Sequence, residues 1–276
     1  MRRRAFAKIN LGLVVGSLRP DGKHEVVTVL ERVDLHDVIE LERGEQGTVV
    51  VGLAEDTLVR RSLELFDERT RSEPAWRARI DKRIPIGSGL GGGSSDAAAA
   101  LRLANALSGE LLAHAELHEL ATEVGSDVPF FLTPGAKLAT GDGTELEPVV
   151  LPQEYWVVLA LAHDESKPST GSVYDAIDAS AAAAEFDVRR GGLLEALRNL
   201  EKPQHLGRLP YNQLADRNHS SALASELADL GAFRIDTSGA GPTVYGLFEH
   251  ENDARRAQQK LTHDARTWLA RPVPGP

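Results

Sequence analysis

The run Pro85-Ile86-Gly87-Ser88-Gly89-Leu90-Gly91-Gly92-Gly93-Ser94-Ser95-Asp96 constrains this chain more than any other stretch. Five glycines fall within seven residues, two hydroxyls and an acid follow, and the four alanines at 97–100 come next. A loop so stripped of side chains, feeding a helix, presents successive backbone N–H groups together with the positive end of the helix dipole. That is a cradle for an anion, and a nucleotide phosphate is the natural guest. The motif is not a Walker A loop, because Gly93-Ser94-Ser95 stands where Gly-Lys-Ser/Thr is required. It also lacks the compact βαβ unit and well-placed acid of a dinucleotide fingerprint. Ser94 and Ser95 are candidates to cap the helix, which is expected to begin near Ser95, and to touch a phosphate or its magnesium ion.

The rest of the 276-residue composition narrows the partners. Lys+Arg number 31 against 41 Asp+Glu, a formal net charge of −10. Such a chain lacks the broad basic field that nonspecific nucleic-acid binding needs, and Arg2-Arg3-Arg4 reads as a solvated terminus. With no cysteine, disulfides, thiolate metal sites and cysteine nucleophiles are excluded. The nine histidines show no His-Glu-x-x-His spacing, which argues against a protein-held zinc ion. No segment has the length and apolarity of a signal core or a membrane span, so no membrane partner and a cytoplasmic location are expected. The sequence does not choose between a monomer and a homodimer.

Strand and helix signals alternate along both halves, which fits an α+β chain. Strands are expected at Ile9–Val15, Val26–Val33, Val38–Leu41, Thr48–Leu53 and Trp76–Ile80, with a turn at Arg19-Pro20-Asp21-Gly22. Leu58, Val59, Leu63 and Phe66 have helical spacing, with Asp56 as a candidate N-cap. Ala97–Leu107 and Ala115–Val124 read as helices, and Lys137–Val149 as a hairpin. Pro152 marks an inter-domain seam, giving domains 1–150 and 151–276. Beyond it come a strand at Trp156–Ala162, helix mixed with loop over residues 180–210, and a helix at Asn218–Leu230 stopped by Gly231. A small-residue turn at Ser238-Gly239-Ala240-Gly241-Pro242 lies between two strands, and a helix from Asn252 and a strand near Trp268 close the chain.

Three separated blocks carry a resemblance: Ala7-Lys8-Ile9-Asn10-Leu11 with Arg19-Pro20-Asp21-Gly22-Lys23-His24, the glycine run through Ala99, and Gly125-Ser126-Asp127-Val128-Pro129-Phe130-Phe131. The turn at residues 238–243 is a looser fourth. Together they resemble the GHMP small-molecule kinase superfamily, whose members include galactokinase, homoserine kinase and mevalonate kinase. The Asp-Gly-x-His and Asp-Val-Pro-Phe-Phe blocks point to its branch acting on a cytidine-diphosphate-bearing alcohol of the non-mevalonate isoprenoid route. The resemblance implies an N-terminal domain like the second domain of ribosomal protein S5 and a ferredoxin-like C-terminal domain. It implies ATP and Mg2+ as cofactors, and a small-molecule acceptor carrying a cytidine diphosphate group.

The resemblance also implies roles. Pro85, Gly87, Gly89, Leu90, Gly91, Gly92, Gly93, Ser94 and Ser95 bind the ATP phosphates, with Ser95 near the metal. Asp127 is the catalytic carboxylate on the acceptor hydroxyl; by itself it reads equally as a helix or turn cap. Lys8 pairs with the aspartate and meets the reacting hydroxyl; by itself, a lysine opening an apolar strand points its ammonium to solvent. Asn10, two residues on and so on the same strand face, matches the residue that bonds the methylerythritol end. His24 matches a histidine on the cytosine, Tyr174 lies in an acceptor-side segment, and Gly239, Ala240 and Gly241 form the active-site glycine loop. Lys23 departs from the family's stacking tyrosine. Asp56 stands where an asparagine lies near the adenine, and as an ionised carboxylate it only accepts hydrogen bonds. Ala240 replaces a serine, and Asn212-Gln213-Leu214 replaces Asn-Asp-Leu.

Overall fold

The computed structural model describes residues 1–45, 47–53, 58–73, 75–163, 179–215 and 221–275. The expectations for Asp56 and Tyr174 fall outside them. The chain divides into two compact units. One comprises Met1–Ala7, Leu35–Ile86 and Gly91–Pro134; the other comprises Lys8–Asp34, Gly87–Leu90 and Gly135–Pro276.

In the first unit, β3 (Gly47–Val51) runs parallel to β4 (Ala75–Asp81). Strand β4 is antiparallel to the Val38–Arg43 stretch of β2 (His24–Arg43). Beside β2 lies the start of β1 (Arg2–Leu18), with Leu41 N donating to Met1 O at 2.9 Å. Alternation sets the two sheet faces. Trp76, Ala78 and Ile80 of β4 are buried, while Arg77, Arg79 and Asp81 are exposed. Helices α1 (Leu58–Thr70), α2 (Gly92–Leu107) and α3 (His114–Val124) form one packed group. Alanines 97–100 of α2 are buried, and their small side chains let α2 approach α1 closely. A 3-10 turn at Pro129–Leu132 packs on α2 and α3.

In the second unit, Thr28–Leu30 of β2 pairs antiparallel with β5 (Lys137–Thr140), which forms a hairpin with β6 (Glu145–Pro148). A separate antiparallel sheet has the order β10-β7-β9-β8, built from β7 (Trp156–Ala162), β8 (Arg234–Thr237), β9 (Val244–Phe248) and β10 (Ala265–Ala270). Helices α5 (Ser221–Asp229) and α6 (Glu251–Leu261) cover one face, burying Leu227, Ala254 and Leu261 against Val158 and Phe248. This 4-1-3-2 order with helices on one face is the ferredoxin-like arrangement. Helix α4 (Ala179–Arg198) and a 3-10 turn (Pro203–Arg208) fill the 180–210 stretch.

Three sequence expectations change. Arg2-Arg3-Arg4 is not a loose terminus but the first part of β1, held by Met1 N donating to Leu41 O at 2.6 Å. The two strands expected across Val26–Leu41 are one, because the intervening Asp37 is buried and satisfied through its side chain rather than in a turn. Helix α2 starts at Gly92, earlier than Ser95.

Candidate active site

The glycine loop obtains its path from backbone conformations that only glycine adopts cheaply. Gly87, Gly89 and Gly91 have φ of 69°, 81° and 70°. In the second unit, Gly87–Leu90 is pinned on two sides. Lys8 N of β1 donates to Leu90 O at 2.9 Å, and Thr243 N donates to Ser88 O at 3.2 Å. Ser238 Oγ donates to Gly89 O at 2.9 Å and has Lys8 O as a longer acceptor at 3.3 Å. A Cβ on Gly89 would lie 2.2 Å from Ser238 O and 2.8 Å from Gly241 O. The loop and the Ser238–Gly241 turn therefore meet backbone to backbone. Asn212 holds that turn from behind, its Nδ2 donating to Thr237 O at 2.8 Å and Gly239 O at 2.6 Å. Ala240 lies between Gly239 and Gly241, both left-handed at φ 57° and 74°.

Strand β1 supplies the charge. The Lys8 ammonium does not reach solvent: the residue is 4 % exposed, and Nζ donates to Asn10 Oδ1 at 2.6 Å. Asn10 Nδ2 donates to Thr28 Oγ1 at 2.8 Å, and Thr28 Oγ1 donates to Gly12 O at 2.8 Å. This relay fixes the Asn10 amide so that its oxygen faces the lysine, and Tyr245 Oη anchors the strand by donating to Asn10 O at 2.8 Å. The ammonium sits 3.1 Å from where a Gly239 Cβ would be, beside the glycine turn. Lys8, Asn10, Gly89 and Gly239 are thus brought together. Lys23 precedes β2 and His24 opens it: Lys23 Nζ meets Asp142 Oδ2 at 2.5 Å, and His24 Nδ1 lies 3.0 Å from Gly16 O. Asp142 is held below the ordinary carboxylate pKa; burial opposes the shift, and hydrogen bonds from Lys23 and Thr144 outweigh it.

In the first unit the loop continues into α2. Its N-cap is Gly91, and no side chain caps the helix. Ser94 and Ser95 are therefore first-turn helical residues rather than caps, with Ser95 N donating to Gly91 O at 2.9 Å. An uncapped start leaves helical N–H groups open to an anion. Below them lies a cluster that the sequence reading did not single out. Lys82 Nζ donates to Asp37 Oδ2 at 2.5 Å and Asp96 Oδ2 at 2.8 Å, and a Cβ on Gly92 would fall 2.8 Å from that nitrogen. Asp37 Oδ1 also accepts from Arg83 N at 2.5 Å and Ile84 N at 2.8 Å, which fixes the chain entering the loop. Burial pushes the Asp96 carboxyl up to about 8, with Lys82 opposing and Asp37 adding to the shift. Burial works against the Lys82 ammonium, but Asp96 and Asp37 outweigh it and raise its pKa. Asp127 occupies the half-buried turn between α3 and Pro129–Leu132.

The missed contributors are Thr28, Asp37, Lys82, Asn212 and Ser238. The nearest signal was Lys82, a lysine between a strand end and the glycine run. Asn212 acts on carbonyls 25 and 27 residues away, which no local pattern discloses.

Residues 57–135 match the family model described as the GHMP kinases N terminal domain, and residues 219–266 match GHMP kinases C terminal. A 4-diphosphocytidyl-2-C-methyl-D-erythritol kinase from Exiguobacterium sibiricum is 37 % identical over 273 residues, covering 94 % of this chain and 92 % of that protein. The enzyme of the same name from Anaeromyxobacter sp. is 37 % identical over 269 residues, covering 94 % and 86 %. A crystal structure of 4-(cytidine 5'-diphospho)-2C-methyl-D-erythritol kinase superposes with a TM-score of 0.81 at 33 % identity, covering 100 % of both chains. The homoserine kinase of Cytophaga hutchinsonii shares the fold, with a TM-score of 0.73 at 18 % identity over 98 % of this chain and 96 % of that one. With its glycine loop, its buried strand lysine and full-length relatives of one kind, this chain belongs to the 4-diphosphocytidyl-2-C-methyl-D-erythritol kinase family of GHMP kinases.

Proposed function

We propose that this chain transfers the terminal phosphoryl group of ATP to the 2-hydroxyl of 4-diphosphocytidyl-2-C-methyl-D-erythritol, giving the 2-phosphate and ADP in the non-mevalonate route to isoprenoids. The observation that carries the reading is the Lys8 ammonium, 4 % exposed and tied to Asn10 beside the Gly239 turn.

The loop fits a nucleotide phosphate: its glycines leave room for close backbone approach, and the start of α2 has no side-chain cap. Gly87–Gly93 and the first turn of α2, with Ser94 and Ser95, hold the phosphates, and Pro85 fixes the entry. Magnesium bound with ATP supplies charge neutralisation at the transferring group, and Ser95 is the protein oxygen assigned to it. Asp56 is assigned to the adenine side as a hydrogen-bond acceptor.

Asp127 orients the acceptor hydroxyl and takes its proton as the new P–O bond forms and the bond to the leaving ADP breaks. Lys8 stabilises the negative charge on the transferring phosphoryl group. Asn10 engages the methylerythritol end; its oxygen accepts from Lys8 and one amide hydrogen goes to Thr28, so a second amide hydrogen remains for substrate. Lys23, His24 and Tyr174 bind the cytidine end, and Gly239, Ala240 and Gly241 close on the reacting groups. A cytoplasmic setting is part of the same proposal. We assign residues 1–150 and 151–276 as the two domains, and each family match falls within one of them.

The test is to incubate the protein with magnesium-ATP and 4-diphosphocytidyl-2-C-methyl-D-erythritol and follow product mass. A product heavier by one phosphoryl group, absent with Asp127→Asn, supports the assignment. Lys23, bound to Asp142 where the family has a stacking tyrosine, favours a second reading in which the acceptor is a different alcohol. ATP binding without transfer to the cytidine substrate would select it.

A further inference from the structure

The sheet face of the first unit that points away from α2 carries a concentration of positive charge that the mechanism does not use. The mutual hydrogen bonds of Met1 and Leu41 set the register of β1 on β2. Arg2 then lies opposite Glu40, Arg4 opposite Val38, and Phe6 against the His36 ring, at 5.5 Å between centroids. Val38 also pairs with Asp81 of β4, and Arg83 follows two residues later on that face. Arg2, Arg3, Arg4, His36, Val38 and Arg83 line a cleft of about 450 Å3.

The charge there is only partly balanced. Arg2 has Glu40 at 3.6 Å and Arg83 has Asp81 at 3.0 Å, and all four side chains are largely exposed. Such pairs are weak and exchange readily with another anion. Among the described residues, Arg4 has no carboxylate within ion-pair distance. Arg3, between Arg2 and Arg4 in the strand, turns to the opposite face, where it is half-buried near the Arg102 guanidinium of α2. On a chain of net charge −10, these arginines oppose the overall field. They are set in sheet register rather than on a loose tail.

Guanidinium forks match phosphate oxygens bidentately and keep their charge at every physiological pH. Arg2, Arg4 and Arg83 around one concavity exceed what a single phosphate can engage. We propose that this cleft binds a small molecule carrying a diphosphate or longer phosphate chain, at a site separate from the glycine loop.

The probe is inorganic pyrophosphate, titrated calorimetrically into the whole protein in magnesium-free, low-salt buffer without nucleotide. The expected result is a pyrophosphate site, bound at least tenfold more tightly than orthophosphate, that Arg4→Gln weakens tenfold or more while the KM for ATP stays unchanged. Arg2→Gln with Arg83→Gln weakens the same site should Arg4→Gln fold poorly. Absence of binding, affinity unaltered by either variant, or parity with orthophosphate overturns the proposal. Affinity for a single-stranded oligonucleotide that rises with its length and exceeds that for pyrophosphate overturns it in favour of nucleic acid.

Discussion

Gly89→Ala tests the idea that the phosphate loop and the Ser238–Gly241 turn are one backbone-to-backbone device. Gly89 has φ 81°, and placing an L residue in the left-handed region costs roughly 1–2 kcal/mol. The added methyl would sit 2.2 Å from Ser238 O and 2.8 Å from Gly241 O, so the turn must retreat by roughly an ångström. Both obstacles are backbone atoms and cannot rotate away. Overpacking of this kind costs roughly 1–3 kcal/mol. The sum is roughly 2–5 kcal/mol, and the displaced turn carries Gly239, beside the Lys8 ammonium. A urea titration should therefore show a lower midpoint, and the phosphoryl-transfer rate should fall more than ten-fold with a raised KM for ATP. Gly191→Ala is the control. It lies inside α4 with nothing within 4 Å of a built Cβ, so alanine should stabilise by roughly 0.5–1 kcal/mol and leave the rate unchanged. A Gly89→Ala protein with normal midpoint and normal rate would refute the reasoning.

Four further outcomes are expected. Asp127→Asn should lower transfer by roughly 10²–10⁴-fold while ATP binding, measured by calorimetry, is retained. Lys23→Tyr removes an exposed pair with Asp142 worth roughly 0–1 kcal/mol and supplies a stacking ring worth roughly 1–3 kcal/mol, so the KM for the cytidine substrate should fall. Asn212→Ala strips donors from two carbonyls of the glycine turn, and should cost roughly 1–3 kcal/mol in a thermal or urea melt. Glu31, buried and raised to about 7 by burial against the opposing bonds from Gln153 and Arg32, keeps its proton in the folded state after the unfolded chain has lost it near 4.5. Its contribution is full below pH 4.5 and is lost as pH rises toward 7. Glu31→Gln should therefore match the parent at pH 4 and exceed it at pH 8 by up to roughly 3 kcal/mol, read from melts at the two values.

Elements fixed by local period were legible, and those fixed by distant partners were not. Strand β7 was read residue for residue at Trp156–Ala162 because its apolar run is continuous and bounded by polar sequence. The 137–149 hairpin announced itself through its glycines, Gly141 and Gly143, both left-handed in the structure. Strand β2 was split because Asp34-Leu35-His36-Asp37 looks like a break. In fact Asp37 stays in the strand, and its carboxylate takes Lys82 Nζ and two backbone N–H groups 46 and 47 residues away. The same rule divides the site. Lys8 and Asn10 share a face by the two-residue period of a strand, so their pairing could be read directly, and so could the glycine loop. The cap could not, because the hydroxyl preference at helix starts points to Ser94 or Ser95, whereas a left-handed Gly91 turns the chain into α2 and leaves the first turn bare.

Partner sets then separate charged residues that sequence cannot tell apart. Arg234 is fully buried, yet its guanidinium donates to Leu206 O, Leu209 O and Pro210 O and pairs with Asp236 at 2.8 Å. Those bonds tie the Pro203–Arg208 turn to β8, and they leave little of the charge for anything else. Arg234→Lys should therefore unfold this corner without a specific effect on ligands, since one ammonium cannot span the three carbonyls and the carboxylate. Arg4 has the same chemistry and the opposite surroundings: no carboxylate partner among the described residues, and a concave space in front of it. Lys82 shows the intermediate case. Its charge is matched by Asp37 and Asp96, so it organises the approach to α2 rather than meeting substrate. A cation whose charge is matched within the fold is architecture. One held in place without such a partner is reserved for a ligand, and on that criterion Arg4 differs from Arg234 by function rather than by position.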